Sequence, residues 1–162
     1  MADPGWRLLA GWRAADTQLL PALRQVFTYT AHERDRATGW LYLQDRPPVT
    51  AWPRPFADLG PWLLADLAAE VGTVFTACAF QAYRDGSGCG WHHDRDWAAQ
   101  AVLSLGVTRS FGLRRSAQEE FLPLAHGDLL FMPPGFQDSW EHCVPVEDVQ
   151  GERCSLVFRS SI

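Results

Sequence analysis

The chain has 162 residues, 47% of them hydrophobic and 20% charged, with a formal charge of −5. That length is one domain's worth, and the composition is globular rather than disordered. All 14 basic residues are arginine, and neither lysine nor asparagine occurs. Their absence excludes a P-loop ATPase, a Schiff-base enzyme, Ser–Lys hydrolysis, Cys–His–Asn catalysis and N-glycosylation.

The four cysteines, Cys78, Cys89, Cys143 and Cys154, form no CxxC pair and outline no disulfide scaffold. Pro4, Arg7 and Arg13 interrupt the first residues where a signal peptide needs an unbroken apolar stretch, and no run reaches the length of a membrane span. A soluble, cytoplasmic monomer with no membrane partner is expected. Charge is uneven: residues 1–54 hold seven Arg against five acids (+2), and residues 55–162 seven against fourteen (−7). Proteins that grip long duplex DNA by its phosphates are usually basic. Any nucleic-acid contact should therefore be short, local and centred on the first third.

In chain order, Asp16 is placed to cap a helix reaching about Val26, with Leu19, Leu20 and Leu23 on one face. Residues 27–55, rich in aromatics, Arg and Pro, read as a hairpin or flap followed by a loop. A second helix is predicted from about Pro61 to Val71, ending before Gly72. From Thr73 the texture changes to short strands separated by turns, at 74–83, 90–94, 101–107, 110–115, 128–132, 139–144 and 154–159. The pattern predicts a single domain, mainly β with N-terminal α elements. Its core is a jelly-roll, or double-stranded β-helix, over 73–162, and 1–72 forms a helical and lid region.

Two stretches carry chemistry. In GWHHDRDW, His92 and Asp94 are i and i+2, so a strand would project both from one face. Downstream, QDSWEHCVP supplies His142. Two histidines and one carboxylate are the ingredients of the facial triad that leaves open positions on Fe(II). His-x-Asp alone is common, and a hydrogen-bonded or exposed pair is the alternative. The last strand reads RCSLVFR, and period 2 puts Arg153, Ser155, Val157 and Arg159 on one face. The two Arg backbones are roughly 20 Å apart at about 3.3 Å per residue. Side chains leaning inward could hold a small diacid, since guanidinium binds carboxylate bidentately and stays charged. A solvated Arg face is the alternative.

Taken together, Gln81-x-Tyr83, DGSGCGWHHD, SLGVTRSFGLR, HGDLLFM, Gln137-x-x-Trp140-x-His142 and Arg153-x5-Arg159 resemble, in order, the AlkB family of Fe(II)- and 2-oxoglutarate-dependent dioxygenases. The likeness runs over about residues 39–162. It implies Fe(II) on His92, Asp94 and His142, and 2-oxoglutarate with O₂ as cosubstrates. Arg153 would hold the far carboxylate of 2-oxoglutarate, with Arg159 near its metal end and Tyr83 hydrogen-bonded to it. Gln81 stands where the family has the shorter Asn. Asp96 matches an acidic position that reads the amine of a target base. Gly39-Trp40-Leu41-Tyr42 resembles a lid strand, and Tyr29 falls where a stacking aromatic can sit. Flipped-base or single-strand binding uses such aromatics with nearby arginines.

The implied activity is oxidative demethylation of N-alkylated bases, such as 1-methyladenine or 3-methylcytosine, in single-stranded or locally flipped DNA or RNA. Two alternatives stay open: the same cofactor chemistry on tRNA, protein or a small metabolite, and a non-catalytic metal-binding β-helix module.

Overall fold

The computed structural model describes residues 5–26, 30–32, 40–43 and 56–161, with side chains at 5–24 and 62–161. Within these the chain runs β1 (Arg7–Leu9), α1 (Leu19–Val26), β2 (Thr30–His32), β3 (Trp40–Leu43), α2 (Phe56–Val71), β4 (Ala77–Arg84), β5 (Cys89–His92) and β6 (Gln100–Gly106). It continues through β7 (Arg109–Arg115), β8 (Gln118–Leu124), β9 (Leu129–Met132), α3 (Phe136–Ser139), β10 (Glu141–Val144) and β11 (Glu152–Arg159). Asp16 caps α1: its Oδ1 accepts from the amides of Gln18 and Leu19 at 2.9 and 3.0 Å.

The strands form two antiparallel sheets, in the orders β1-β9-β6-β11-β4-β3-β2 and β5-β10-β7-β8. β11 lies inside the larger sheet, between β6 and β4. Its alternation divides the molecule into layers. Cys154, Leu156 and Phe158 pack against Leu19 and Leu23 of α1 and Leu63 and Leu67 of α2. Val157, on the opposite face, packs with Phe111, Leu113, Leu122 and Val144 of the smaller sheet. The helices thus cover one face of the large sheet and the small sheet covers the other. Each of those four leucines is fully buried, worth about 1.5–3 kcal/mol of apolar transfer apiece.

Four local features depart from the sequence reading. α2 begins at Phe56, ahead of Pro61. Proline's fixed φ suits a helix, and it removes only one hydrogen bond near the N-terminal end. The far end does stop at Gly72, where φ is +69° and the amide donates to the Ala68 carbonyl at 2.9 Å. β8 was not anticipated. It is joined to β7 through Ser116 and Ala117, with Arg115 opposite Gln118 and Ser116 at φ +54°. A turn without Gly, Asn or Asp gives no hairpin signal. β1 and α3 were also not anticipated, each only three or four residues long. The hairpin expected in the first third corresponds to β2 and β3, and β3 joins the large sheet with Tyr42 opposite Gln81.

Candidate active site

β10 places His142 opposite His92 on one side and Leu113 on the other. The β5–β10 register then slips: His142 faces His92, but Val144 faces Cys89. Three steps along β5 therefore match two along β10, a bulge at Gly90 and Trp91. Its effect is to turn both Cys89 and His92 toward the space between the sheets, which strict alternation forbids. An isolated glycine inside a strand is the only sequence signal for it.

β5 ends at His92, so Asp94 lies beyond the strand rather than on it. Other bonds set its position. The Asp94 amide donates to Gln137 Oε1 at 3.2 Å, and Gln137 is buried, its Nε2 donating to Met132 Sδ at 3.6 Å. His93, between the two site residues, donates from Nδ1 to the Trp140 carbonyl at 2.9 Å.

His92, Asp94 and His142 bring one ligand atom each to within 4.8 Å of one another. His142 Nε2 lies 3.7 Å from Asp94 Oδ2. His92 Nδ1 sits 2.7 Å from the Gly90 carbonyl. A carbonyl only accepts, so Nδ1 carries the proton and Nε2 is the acceptor nitrogen suited to a metal. Among the described residues His142 Nδ1 is buried without a hydrogen-bond partner. Its ring is held instead by stacking on Phe111, with centroids 5.6 Å apart and planes 8° from parallel.

Electrostatics put two of the three groups, Asp94 and His142, in the protonation state a metal requires. Burial alone would raise the Asp94 carboxyl. The neighbouring His142, Arg159 and His92 outweigh it and bring the carboxyl to about 2. Arg159 is the permanent charge among these, donating from Nη2 to Asp94 Oδ2 at 3.2 Å. Burial, reinforced by the adjacent His92, depresses His142 to about 3 against the pull of Asp94. At neutral pH the carboxylate is ionised and the His142 imidazole neutral. Two imidazoles and a carboxylate fit a non-haem Fe(II) centre.

At the other end of the cavity is Arg153. It is 1% exposed, donates from Nε to Ser104 Oγ at 3.2 Å, and lies 5.3 Å from the Tyr83 ring centroid. Among the described residues no carboxylate is in ion-pair contact with it. Burial draws its pKa down to about 10, which leaves it cationic at neutral pH. A buried charge without a counter-ion costs several kcal/mol, so this guanidinium suits an anionic ligand. Ser155, two residues nearer the metal end of β11, is fully buried, and its hydroxyl has no hydrogen-bond partner among the described residues. The Tyr83 hydroxyl donates to Gln81 Oε1 at 3.1 Å, and burial raises it well above an ordinary phenol, keeping it a neutral donor.

The triad, Arg153, Tyr83 and Gln81 line one cavity. Arg159 stands behind Asp94, outside the cavity wall, with its guanidinium 5.5 Å from the Trp97 ring centroid. The face carrying both arginines is buried, not solvated. Asp96 is exposed on the turn just past Asp94 and does not line the cavity. Trp40 and Tyr42 have their backbones in β3, but their side chains, and all of Tyr29, lie outside the described residues. Sequence reading did not assign roles to Ser104, Phe111, Gln137 or Ser155. Gln137 was visible in its spacing to His142, and Ser155 in the alternation of β11.

The chain matches the 2OG-Fe(II) oxygenase superfamily over residues 10–159. It is 31% identical over 161 aligned residues to the alpha-ketoglutarate-dependent dioxygenase alkB homolog 3 of Rattus norvegicus, covering 85% of this chain and 53% of the relative. It is 39% identical over 103 residues to the alpha-ketoglutarate-dependent dioxygenase AlkB homolog of Caulobacter vibrioides, covering 57% of this chain and 45% of that one. The chain thus spans about half the length of these curated relatives. Among solved structures, its fold is similar to a 2OG-Fe(II) oxygenase family oxidoreductase from Burkholderia pseudomallei. The TM-score there is 0.67, with 18% identity, covering 97% of this chain and 84% of the other. OsALKBH1 gives a TM-score of 0.66 at 17% identity, covering 99% and 100%. No described helix is long and apolar enough to cross a membrane. The fold, the His–Asp–His cluster and these likenesses agree: the chain belongs to the 2OG-Fe(II) oxygenase superfamily, in its AlkB family, whose members use Fe(II) and 2-oxoglutarate.

Proposed function

We propose that the chain carries out oxidative demethylation of N-alkylated bases in nucleic acid. The observation that carries the cofactor part is the pairing of a three-ligand centre with a buried, anion-seeking arginine in one cavity. Support for the substrate is its likeness to AlkB homologs.

His92, Asp94 and His142 would hold Fe(II), which with 2-oxoglutarate and O₂ supplies an oxidation that releases succinate and CO₂. The chain's own residues set the stage for it. Arg159 keeps Asp94 ionised and fixed in direction, and Phe111 fixes the His142 ring plane. Arg153 binds the far carboxylate of the cosubstrate, helped by Ser155 and the Gln81–Tyr83 pair. The apolar side chains of Val102, Phe111 and Val157 limit water around the reacting groups. Oxidation of an N-methyl carbon gives a hemiaminal, which loses formaldehyde and restores the base. Asp96 is exposed at the turn after the ligand, available to accept from the exocyclic amine of a base. Tyr29, Trp40 and Tyr42 complete the proposed substrate contacts, and the substrate is proposed to be single-stranded or locally flipped.

The test is anaerobic loading with Fe(II) and 2-oxoglutarate, then O₂ with short oligonucleotides carrying 1-methyladenine or 3-methylcytosine. Loss of the methyl group is followed by mass spectrometry and succinate is counted alongside. Demethylation matched by succinate supports the proposal. Succinate without demethylation moves the substrate to tRNA, protein or a metabolite, a reading that the −7 charge of residues 55–162 favours. Neither product would sink the enzymatic reading in favour of a binding module. In the same assay Asp94→Ala is expected to abolish turnover and metal binding together.

A further inference from the structure

Gln100 opens β6 on the inner face of the large sheet, opposite Arg159 on β11 and Met132 on β9. It is fully buried, and among the described residues neither its amide nitrogen nor its amide oxygen makes a hydrogen bond of full geometry, although its side chain lies close enough to Asp94 to help keep that carboxylate ionised. It lines the same cavity as His92, Asp94 and His142. A buried amide that is only partly answered is costly, and the fold answers this one only through its closeness to the Asp94 carboxylate. Val102, the next inward residue on the strand, is apolar. A leucine of similar size would leave no amide atoms unanswered, so an amide here suits a further partner that arrives with the ligand.

Position along the strands limits what that partner is. Arg153 lies opposite Gly106, at the far end of β6 from Gln100. A diacid held by Arg153 and reaching the triad therefore presents its second carboxylate toward Gln100. On the cofactor reading given above, on which this inference rests, we propose that Gln100 binds the metal-end carboxylate of 2-oxoglutarate, donating to it from Nε2. Gln100 is then a cosubstrate-binding residue beside Asp94, on the strand opposite Arg159, which makes the ion pair with that carboxylate.

The experiment compares wild type with Gln100→Leu and Gln100→Glu under argon. Calorimetry measures Fe(II) binding to the metal-free protein and 2-oxoglutarate binding to the Fe(II)-loaded protein, and thermal unfolding is recorded for the metal-free forms. The leucine variant should bind Fe(II) within twofold of wild type and lose about tenfold or more in 2-oxoglutarate affinity, the worth of a charge-assisted hydrogen bond. The glutamate variant should lose more, because it sets like charges together. The metal-free leucine variant should melt at or above the wild-type temperature, since it removes an amide that the fold only partly answers. Unchanged 2-oxoglutarate affinity in both variants overturns the inference, and so does an equal loss of Fe(II) binding, which would place the effect on Asp94. Should the leucine variant fail to fold, the near-isosteric glutamate variant decides alone. A wild-type protein that binds Fe(II) but no 2-oxoglutarate is a different failure: it overturns the cofactor reading for this chain, and this inference with it.

Discussion

Arg109 and Arg153 are equally buried, each 1% exposed, yet their surroundings differ. Arg109 is answered by the chain itself. Its Nε donates to Glu147 Oε2 at 2.6 Å, and its Nη2 to the carbonyls of Gly86, Ser87 and Pro145 at 3.1, 2.9 and 2.7 Å. It ties the turn after β4 to the loop after β10. Among the described residues Arg153 meets only a serine hydroxyl and the face of a tyrosine. The same residue type at the same burial is structural in one place and open to a ligand in the other. What separates them is whether the fold supplies the negative charge.

Replacing each with leucine should separate the two roles. Arg153→Leu is expected to lower 2-oxoglutarate affinity about a hundredfold or more, by loss of a desolvated charge pair. Its melting temperature should stay at or above wild type, because an unanswered buried charge is gone. Calorimetry and thermal unfolding on one preparation check both halves, and a large fall in stability would show that Arg153 also holds the fold. Arg109→Leu should do the reverse: a loss of about 3 kcal/mol, lowering Tm by roughly 6–12 °C. The folded fraction should retain normal cosubstrate affinity.

The metal triad falls between these cases, since its charges are partly answered by each other. Metal-free protein should lose stability as pH falls from about 6.5 toward 3. His142 is held at about 3 in the fold, while an unfolded histidine takes up its proton near 6.5. The unfolded state therefore binds more protons in that window, at up to about 1.4 kcal/mol per pH unit. Asp94, depressed to about 2, adds its loss only below its ordinary carboxylate range. Denaturant midpoints at several pH values measure the slope, and bound metal should not flatten it, because a ligated imidazole stays neutral while the unfolded one still takes up its proton. The smallest effect is expected for Gln137→Leu, which frees the Asp94 amide and should weaken metal binding about tenfold.

The two sheets differ in how far the sequence disclosed them. β11 was readable residue by residue, because charged or small side chains alternate with large apolar ones and both faces of the strand are buried. The pairing of His142 with a motif some fifty residues upstream was suggested only by the chemistry of the residues and the family resemblance, since spacing carries no distance in space. β5 could not be read correctly by alternation: the bulge at Gly90 resets the faces, and Asp94 is placed by Gln137 rather than by the strand. Arg159 was expected beside the cosubstrate, and its bond to Asp94 depends on how β11 ends beside the turn at 93–96, a tertiary fact. β8 was hidden because an acidic segment with a proline has low strand propensity, and pairing with β7 overrides it.

That same strand sets how the molecule meets its neighbours. β8 is the last strand of the small sheet, with only β7 beside it among the described residues. Its outer row carries Glu119 and Glu120 and is interrupted by Pro123, which has no N–H to offer. A strand approaching this edge meets like charge wherever it is itself acidic, and a missing donor near the C-terminal end of β8. The half-exposed Phe121 is thereby left as a patch for side-chain contact rather than a seed for sheet extension. Concentrated solutions should accordingly stay clear of ordered fibrils that grow through this edge.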